Sequence, residues 1–568
     1  MLNLVTESKF RRHFSYRNLP PATSSLSSLG VAYSWYLACR AMHKACRRLQ
    51  RGSNWYPTRL LDVGVPGDLK WKLHICAEDD LFSPNYMTIS YRWGSLPSLT
   101  LVQSNINELR RGKLTEELPQ TFRDAIIVLH RFSIRYLWID SLCIIQDSLE
   151  DWEKESSMMR DVYANSCCNI SATASSEPLG GLFRNHQKGP IQPGVVAMNI
   201  GPVQKKYYIL DSSYWDRQVL NTVLNQRGWV FQERLLAPRV LHFASHQILF
   251  ECFSDQKCEA FVQGIPWQNS LKSFEAIFIP TPQEQNIMSD AAFDLWINLV
   301  ELYTRCDLTK PDDRLAAFSG LAHLFQDTNG DDYLSGIWRS RLLESLYWEA
   351  ERPMRRALGV YIAPSWSWAC GNGPIKWNRP QRGYTRLSSV LDARTQNASS
   401  DCTGRVVGGS IRVRGLLLRA TCEDSVTRGR PCVLALKSKP TLTNNRATFT
   451  NETEPPLPAL VHFSNDSPYV ISTLNEDFED TNYGGDEDIY CLVLHAQSVI
   501  WEESFSDTFL EGVILKPVSP SSSESFVRTG TFRIRGRECA EKSGVRINIK
   551  DGSACLSETS QLTEITIV

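Results

Sequence analysis

The sequence lacks any long hydrophobic run. None of its apolar stretches approaches the roughly 18 residues that suggest a membrane-spanning helix, so no span is expected. The first residues also lack the apolar segment of a secretory signal. An excess of charge is missing too, because 61 Lys and Arg residues face 62 Asp and Glu residues, which gives a net charge of −1. Such a balanced chain has no general field that would attract nucleic acid, and no nucleic-acid partner is expected.

The cysteines lack the spacing of a disulfide framework. Sixteen are scattered along the chain, and only Cys167 and Cys168 are neighbours. This pattern predicts reduced thiols and favours the cytosol or the nucleus over secretion, and a cytoplasmic location is expected. No metal site is predicted, since zinc usually binds closer cysteine pairs than the widely spaced set that the chain offers, namely His242, His246, Cys252 and Cys258. The chain also has no Walker-type glycine loop and no HExxH motif.

Three short hydrophobic segments, 86–91, 136–139 and 168–173, predict buried strands. Two intervening segments begin with patterns that resemble helix capping boxes, led by Thr121 and Ser148. Strands that alternate with helices in this way indicate βαβ units. The sequence therefore predicts an α/β core with a parallel sheet.

An acidic residue, Asp140, follows the second predicted strand abruptly, with Ser141 next to it and Cys143 close by. Ligands of open α/β sheets bind at the carboxyl ends of the strands, so these polar groups are candidates for function. A nucleophilic role for Ser141 or Cys143 is disfavoured, because no histidine stands nearby in the sequence to act as a base.

The two ends of the chain have different patterns. Apolar residues at helical spacing from Trp35 to Leu49, with basic residues on the other side, predict a helix near the N-terminus. This helix either docks on its own domain or binds anionic lipid or a partner. Beyond about residue 376, alternating apolar and polar residues predict a β-rich domain with long polar loops, one of them at 438–457.

Several blocks of sequence between residues 86 and 236 stand in a specific order. The first is Tyr-Met-Thr-Ile-Ser-Tyr-Arg-Trp-Gly at 86–94, and the last is Arg-Gly-Trp-Val-Phe-Gln-Glu-Arg-Leu-Leu at 227–236. The middle blocks lie at 118–125, 136–147, 151–159 and 163–165. Together they resemble the fungal heterokaryon-incompatibility (HET) domain, and the resemblance covers about residues 55–375. At Arg92 many relatives carry a cysteine, so a thiol is not essential here.

The resemblance implies a role in nonself recognition and in programmed cell death after incompatible fungal cells fuse. HET domains are also similar to Toll/interleukin-1 receptor (TIR) domains, which implies a TIR-like, flavodoxin-like parallel-sheet core. Residues 86–94 look like the first TIR strand and its loop, and 122–140 look like the first helix and second strand. Residues 229–235 look like the helix that carries the catalytic glutamate of NAD-cleaving TIR domains.

Four parts are expected on this basis. They are an N-terminal helical segment at 1–54, a HET domain at 55–265 with an insertion at about 175–225, a mainly helical HET-associated region at 266–375, and the β-rich domain at 376–568.

The resemblance implies Glu233 as the candidate catalytic residue of an NAD glycohydrolase. The candidate NAD-binding residues are Tyr91, Arg92, Trp93, Gly94, Asp140, Ser141 and Trp229. Nicotinamide leaves NAD as a neutral group, so no general acid is needed, and one carboxylate can stabilise the oxocarbenium character of the ribose. NAD would then be a substrate, and no permanently bound cofactor is expected.

Two alternatives remain open at this stage. Glu233 can instead be a structural carboxylate that pairs with an arginine, the candidates being Arg227, Arg234 and Arg239. The whole HET region can likewise be a non-enzymatic signalling module that self-associates or binds a separate sensor or allelic partner. The chain has no obvious repeats and no nucleotide-binding oligomerisation module, so any sensor would be another protein.

Overall fold

The fold is given by a computed structural model. It describes residues 2–13, 19–49, 55–81, 84–94, 99–186, 194–200, 203–265, 272, 274–278, 287–355, 360–379, 384–422, 431–437, 469–479, 485–501, 505–519, 524–547, 554–557 and 560–568. The chain forms two compact units. The first comprises Met1–Gln285, Ser289–Leu295 and Cys306–Asn329, and the second comprises Asn286–Met288, Trp296–Arg305 and Gly330–Val568.

The strands before residue 260 are β1 (Leu2–Thr6), β2 (Arg59–Asp62), β3 (Lys70–Ile75), β4 (Tyr86–Ser90), β5 (Lys113–Leu114), β6 (Tyr136–Trp138), β7 (Asn169–Ser171), β8 (Gly194–Ile200), β9 (Val203–Asp211), β10 (Arg239–Phe243), β11 (Ile248–Cys252) and β12 (Gln256–Cys258). The later strands are β13 (Tyr333–Leu334), β14 (Ile337–Trp338), β15 (Trp348–Ala350), β16 (Ile375–Trp377), β17 (Thr385–Arg386), β18 (Ser389–Asn397), β19 (Val406–Cys422), β20 (Pro431–Leu436), β21 (Tyr469–Glu476), β22 (Gly485–Trp501), β23 (Phe505–Pro517), β24 (Ser525–Arg535), β25 (Val545–Ile547), β26 (Ala554–Leu556) and β27 (Leu562–Ile567).

The helices are α1 (Glu7–His13), α2 (Leu26–Met42), α3 (Ile106–Arg111), α4 (Gln120–Arg131), α5 (Asp140–Cys143), α6 (Leu149–Ser157), α7 (Met159–Asn165), α8 (Gly228–Leu236), α9 (Asp290–Tyr303), α10 (Ser319–Asn329), α11 (Leu342–Ser345) and α12 (Arg537–Lys542). In the part of the chain that is described, none of these helices combines the length and the apolar character needed to cross a membrane.

Most described strands of the first unit form one nine-stranded sheet in the order β12-β11-β10-β7-β4-β6-β2-β3-β5. The four central strands are parallel, and antiparallel strands flank them on both sides. Numbered along the chain, the parallel strands stand in the order 2-1-3-4. Every residue of β4, β7 and β10 is buried, as expected for strands covered on both faces.

The predicted strands are present, although their ends differ. β6 ends at Trp138 because Asp140 already begins α5. The Ser148 cap of α6 is confirmed, since its hydroxyl accepts a hydrogen bond from the Asp151 amide at 3.2 Å. The predicted cap at Thr121 is wrong. The helix begins one residue earlier, at Gln120, and the Thr121 hydroxyl is buried without a hydrogen bond to a described residue.

The predicted N-terminal helix is α2, and it docks on the first unit. Its Trp35 is buried, and the indole nitrogen donates to the Val262 carbonyl at 3.0 Å. The expected extension of the helix to Leu49 is wrong, because the chain leaves the helix at His43 and enters a short 3-10 turn, Lys44–Arg47. Residues 50–54, where the N-terminal segment was expected to end, lie outside the described residues.

The insertion between β7 and α8 contains the antiparallel hairpin of β8 and β9, and β9 also pairs with β1. The chain downstream of the first unit is rich in strands, as predicted. Described pairings run from β19 through β22, β23, β24, β21 and β20 and return to β19, so these six antiparallel strands close into a ring. The predicted polar loop at 438–457 lies outside the described residues.

A buried ion pair fastens α8 to the sheet. The Arg234 guanidinium donates two hydrogen bonds to the Glu251 carboxylate of β11, at 2.8 and 2.7 Å. Glu251 also accepts from Gln256 at 3.2 Å, and His242 Nε2 lies 3.4 Å from the carboxylate. Although burial opposes ionisation, the Arg234 charge holds the pKa of Glu251 well below its ordinary value. The bidentate geometry fixes the direction in which neighbouring side chains of α8 point.

Replacement of Glu251 by alanine should destabilise the chain strongly. The change leaves the Arg234 guanidinium buried without its partner, so the free energy of unfolding should fall by about 3–5 kcal/mol. Urea denaturation would measure the loss. The matched control is Asp327→Ala, which removes the exposed partner of Arg160 and should cost at most about 1 kcal/mol. Equal losses in the two variants would contradict the structural role of the buried pair.

Candidate functional site

Polar side chains meet at the carboxyl ends of the central parallel strands. Ser90 is the last residue of β4, and its hydroxyl donates a short hydrogen bond to the Glu233 carboxylate of α8. The same hydroxyl accepts a bond from the side-chain amide of Asn169 in β7, at 2.9 Å. Beyond β6, the Asp140 carboxylate accepts a bond from the Trp93 indole nitrogen at 2.7 Å. We call Ser90, Trp93, Asp140 and Glu233 the edge cluster.

Two contacts hold the start of α8, one from the residue before the helix and one from its first residue. The Arg227 guanidinium, just before the helix, donates to the Tyr91 carbonyl at 2.7 Å. The Gly228 amide donates to the Asp307 carbonyl at 2.8 Å. Further along the helix, the buried Gln232 side chain accepts from the Gly320 amide at 3.0 Å. These contacts, with the Arg234–Glu251 pair, fix the helix so that Glu233 reaches the end of β4.

Glu233 is held in an environment that disfavours its charge. Its residue surface is 7% exposed. Burial raises the pKa of Glu233 to about 7, against the hydrogen bond from Ser90, and the nearby Asp140 charge adds to the increase while Arg227 opposes it. Burial also raises the pKa of Asp140, against the bond from Trp93. Two carboxyl groups with raised pKa values at one strand edge are typical of functional sites, although structural clusters also produce them.

Several predicted NAD-binding residues lie on the loop that follows β4. Tyr91 is buried, and its hydroxyl has no hydrogen bond to a described residue. Arg92 and Trp93 are half-buried, and Gly94 is exposed. Gly94 has a φ of +73°, and a Cβ there would come within 3.2 Å of the Glu177 side chain, so the turn favours glycine. Of these residues, Trp93 contacts Asp140 and the Tyr91 carbonyl accepts from Arg227, whereas Gly94 lies against Glu177 and Pro178.

Ser141 and Trp229 have other surroundings. Ser141 is buried in α5, and its hydroxyl lacks a hydrogen bond among the residues that the structure describes. Trp229 lies one helical turn before Glu233, and its indole nitrogen donates to Asp313 at 3.2 Å. Its ring also packs edge-to-face against Trp152, with the centroids 6.2 Å apart. These contacts are what a packing residue makes, and they tie α8 to the chain that follows α9.

The arginines proposed as structural partners of Glu233 bind other groups. Arg234 pairs with Glu251, and Arg239 donates to the Cys39 sulfur at 3.1 Å and to a backbone carbonyl. Arg227 donates to the Tyr91 carbonyl. Within the described chain, none of the three lies at ion-pair distance from Glu233, so the ion-pair interpretation finds no support.

Sequence reasoning named Arg227 as a possible partner of Glu233 but missed Ser90 and Asn169 as members of this network. Ser90 follows Ile89 in β4 and Asn169 precedes Ile170 in β7, and both polar side chains are buried beside these apolar neighbours. That contrast was the available signal, because a buried polar side chain needs a partner. Their partners, however, lie on other elements and become visible only when β4, β7 and α8 are brought together.

The widely spaced histidine and cysteine set does not come together. His242 binds Glu251 and Thr173, at 3.4 and 3.3 Å. Cys258 lies in an apolar cluster with Trp215 and Val219.

A comparison with known families bears on this site. Residues 86–233 match the sequence model of the family described as Heterokaryon incompatibility protein (HET). The chain contains a HET domain. The match begins at the first residue of β4 and ends at Glu233, so the whole edge cluster lies within it. Searches of curated proteins and of solved structures found no match. The HET domain indicates a function of the heterokaryon-incompatibility type.

The raised pKa of Glu233 makes the stability of the chain depend on pH. Between its ordinary pKa of 4.5 and about 7, the folded chain holds a proton on Glu233 that the unfolded chain has lost. Stability should therefore fall as the pH rises through this window, by up to about 3 kcal/mol.

The measurement is urea denaturation of the natural chain and of Glu233→Gln across this pH range. The glutamine variant should lack that part of the pH dependence. Glu150→Gln is the control, because Glu150 is exposed at the start of α6, and its pH profile should match that of the natural chain. A glutamine variant at position 233 with an unchanged profile would contradict a raised pKa of Glu233.

Proposed function

We propose that this HET domain cleaves NAD at the edge cluster and that loss of NAD is the signal for cell death after nonself recognition in the fungal cytoplasm. The single observation that carries the proposal is the carboxyl group of Glu233, buried with a raised pKa and held by Ser90 at the carboxyl edge of a parallel sheet. Burial of this acid destabilises the folded chain, and groups that do so are often found at functional sites.

The topology of the sheet supports the comparison with TIR domains. The parallel strands β6, β4, β7 and β10 stand in the order 2-1-3-4, the order in which flavodoxin-like sheets begin. Such sheets bind nucleotides where the direction of the chain connections reverses, between the first and third strands. Here these are β4 and β7, and their polar residues Ser90 and Asn169 form a direct hydrogen bond with each other.

The chemistry assigned to Glu233 uses its ionised form. In NAD cleavage the bond between C1′ of the ribose and the pyridinium nitrogen breaks, and its electron pair neutralises the nicotinamide ring. Water adds to C1′ and releases a proton, which gives ADP-ribose. The positive charge that develops on the ribose is stabilised by a carboxylate beside it. Ser90 orients Glu233 through its hydrogen bond, and Ser90 in turn is held by Asn169.

Other residues near the edge could bind the nucleotide. Arg92 and Arg227 are half-buried, and Arg227 already contacts the Tyr91 carbonyl; we assign these two arginines to the diphosphate, for which guanidinium geometry is well suited. Trp93 is half-buried too, and its ring offers a surface for stacking while its nitrogen holds Asp140.

The decisive experiment measures nicotinamide release by the purified full chain at high protein concentration. Glu233→Gln should lower the rate by about 100-fold or more, because it removes the charge that stabilises the ribose cation. Glu150→Gln, at an exposed glutamate, is the matched control and should keep the rate. Equal NAD cleavage by all three proteins would mean that Glu233 is structural.

The rate should also depend on pH in a defined direction. Since only ionised Glu233 stabilises the cation, nicotinamide release should increase with pH around an apparent pKa near 7. A pH profile of kcat at saturating NAD tests this. A rate that is flat or falls across neutral pH would contradict the role given to the Glu233 carboxylate.

One observation favours a second function, a signalling module without enzymatic activity. Glu233 is almost fully covered, and such a carboxyl group can serve the packing of α8 on β4 alone. In that case the domain would act by self-association or by binding a separate sensor. Sedimentation at increasing protein concentration tests self-association. If the chain self-associates but the concentrated protein cleaves no NAD, the signalling function is favoured over NAD cleavage.

A further inference from the structure

A group of three cysteines and one histidine lies in the first unit, on the side of the sheet occupied by α2. Cys39 belongs to α2, His43 follows the helix, Cys46 is in the 3-10 turn Lys44–Arg47, and Cys252 ends β11. One ligand atom of each residue lies within 4.8 Å of those of the other three. All three cysteines are buried free thiols, and the His43 ring is mostly covered.

The spacing of these atoms fits a single tetrahedral ion. With zinc–sulfur bonds of about 2.3 Å and zinc–nitrogen bonds of about 2.0 Å, ligand atoms around one ion lie roughly 3.5–3.8 Å apart. His43 Nδ1 lies 3.4 Å from the Cys252 sulfur. Four ligands of the type Cys3His, with none supplied by solvent, are the set of a closed structural zinc site.

The surroundings also match those of a metal site. The second ring nitrogen of His43, Nε2, lies 3.3 Å from the Asp255 carboxylate. A carboxylate on the far nitrogen is the usual outer partner of a zinc-bound histidine, because it fixes the tautomer that leaves the near nitrogen free. The Asp255 amide also donates to the Cys252 sulfur at 3.3 Å.

Charge balance points in the same direction. Three thiolates and a neutral imidazole around Zn²⁺ leave one net negative charge in a buried place. The buried Arg239 guanidinium donates to the Cys39 sulfur at 3.1 Å and supplies the opposite charge. A neutral thiol is only a weak acceptor, whereas a thiolate bound to the metal would neutralise the buried Arg239 charge, which otherwise has only the Cys167 carbonyl and the Tyr36 ring as partners among the described contacts.

We propose that Cys39, His43, Cys46 and Cys252 bind one Zn²⁺ ion as a structural site. The ion joins the end of α2 and the turn after it to β11, across more than 200 residues of sequence. The neighbour of Cys252 in β11 is Glu251, the partner of Arg234 in α8. The site therefore fastens the strand on which α8 depends, and it does so whether or not the HET domain cleaves NAD.

The test measures the metal content of the full chain by inductively coupled plasma mass spectrometry. The chain is produced in zinc-supplemented medium. About one zinc ion per chain is expected in the natural protein. Cys46→Ser and Cys252→Ser should lower the content toward zero. Cys258→Ser is the matched control, because Cys258 is also buried in the same sheet but lies outside the group, and it should keep the zinc.

Two milder variants keep the test informative if a serine variant does not fold. His43→Cys preserves four ligands and should keep the zinc. Asp255→Asn should bind zinc about 10- to 100-fold more weakly in competition with a chelator, because it weakens the outer partner of His43. Cobalt in place of zinc should give the visible absorption of a tetrahedral thiolate site.

Four results would overturn the proposal. The first is a natural chain without zinc that also fails to bind cobalt, and the second is zinc that remains in both serine variants. The third is a disulfide between two of the three cysteines, and the fourth is iron in place of zinc.

Discussion

The first unit depends on the buried pair of Arg234 and Glu251. The pair joins α8, the helix that carries Glu233, to β11, a strand outside the parallel core. Both side chains are buried. The two parallel hydrogen bonds of this buried pair prevent α8 from rotating, because a rotation would leave a buried charge without its partner. Consecutive residues of the helix thus have opposite environments. Arg234 is neutralised, whereas the carboxyl group of Glu233 is buried beside another acid.

This arrangement accounts for the character of the candidate site. Ser90 at the end of β4 and Asn169 at the start of β7 hydrogen-bond one another and so tolerate burial. Glu233 adds a charge that these neutral partners offset only in part, and its pKa moves toward neutrality as a result. The site is therefore poised between a neutral and a charged form near pH 7.

Sequence reasoning reached much of the core but not its contacts. The hydrophobic segments around Tyr86 and Tyr136 are strands, and Asp140 lies close enough to Glu233 for its charge to raise the pKa of that carboxyl group. The capping pattern at Thr121 misled, because a proline before Gln120 begins the helix without a side-chain cap. The apolar periodicity also wrongly predicted that the N-terminal helix continues past His43, because the spacing of apolar residues does not show where a turn ends a helix.

The sequence by itself determined the family blocks, the alternation of strands and helices, the acid after β6 and the strand-rich second half, because each depends on residues close together in the chain. Only the tertiary structure decided that Ser90 binds Glu233, that Arg234 binds Glu251, and that Cys252 joins cysteines near residue 40. These contacts link residues far apart in sequence. Local patterns carry no signal for them, since a buried polar side chain reveals that it needs a partner but not which element supplies it.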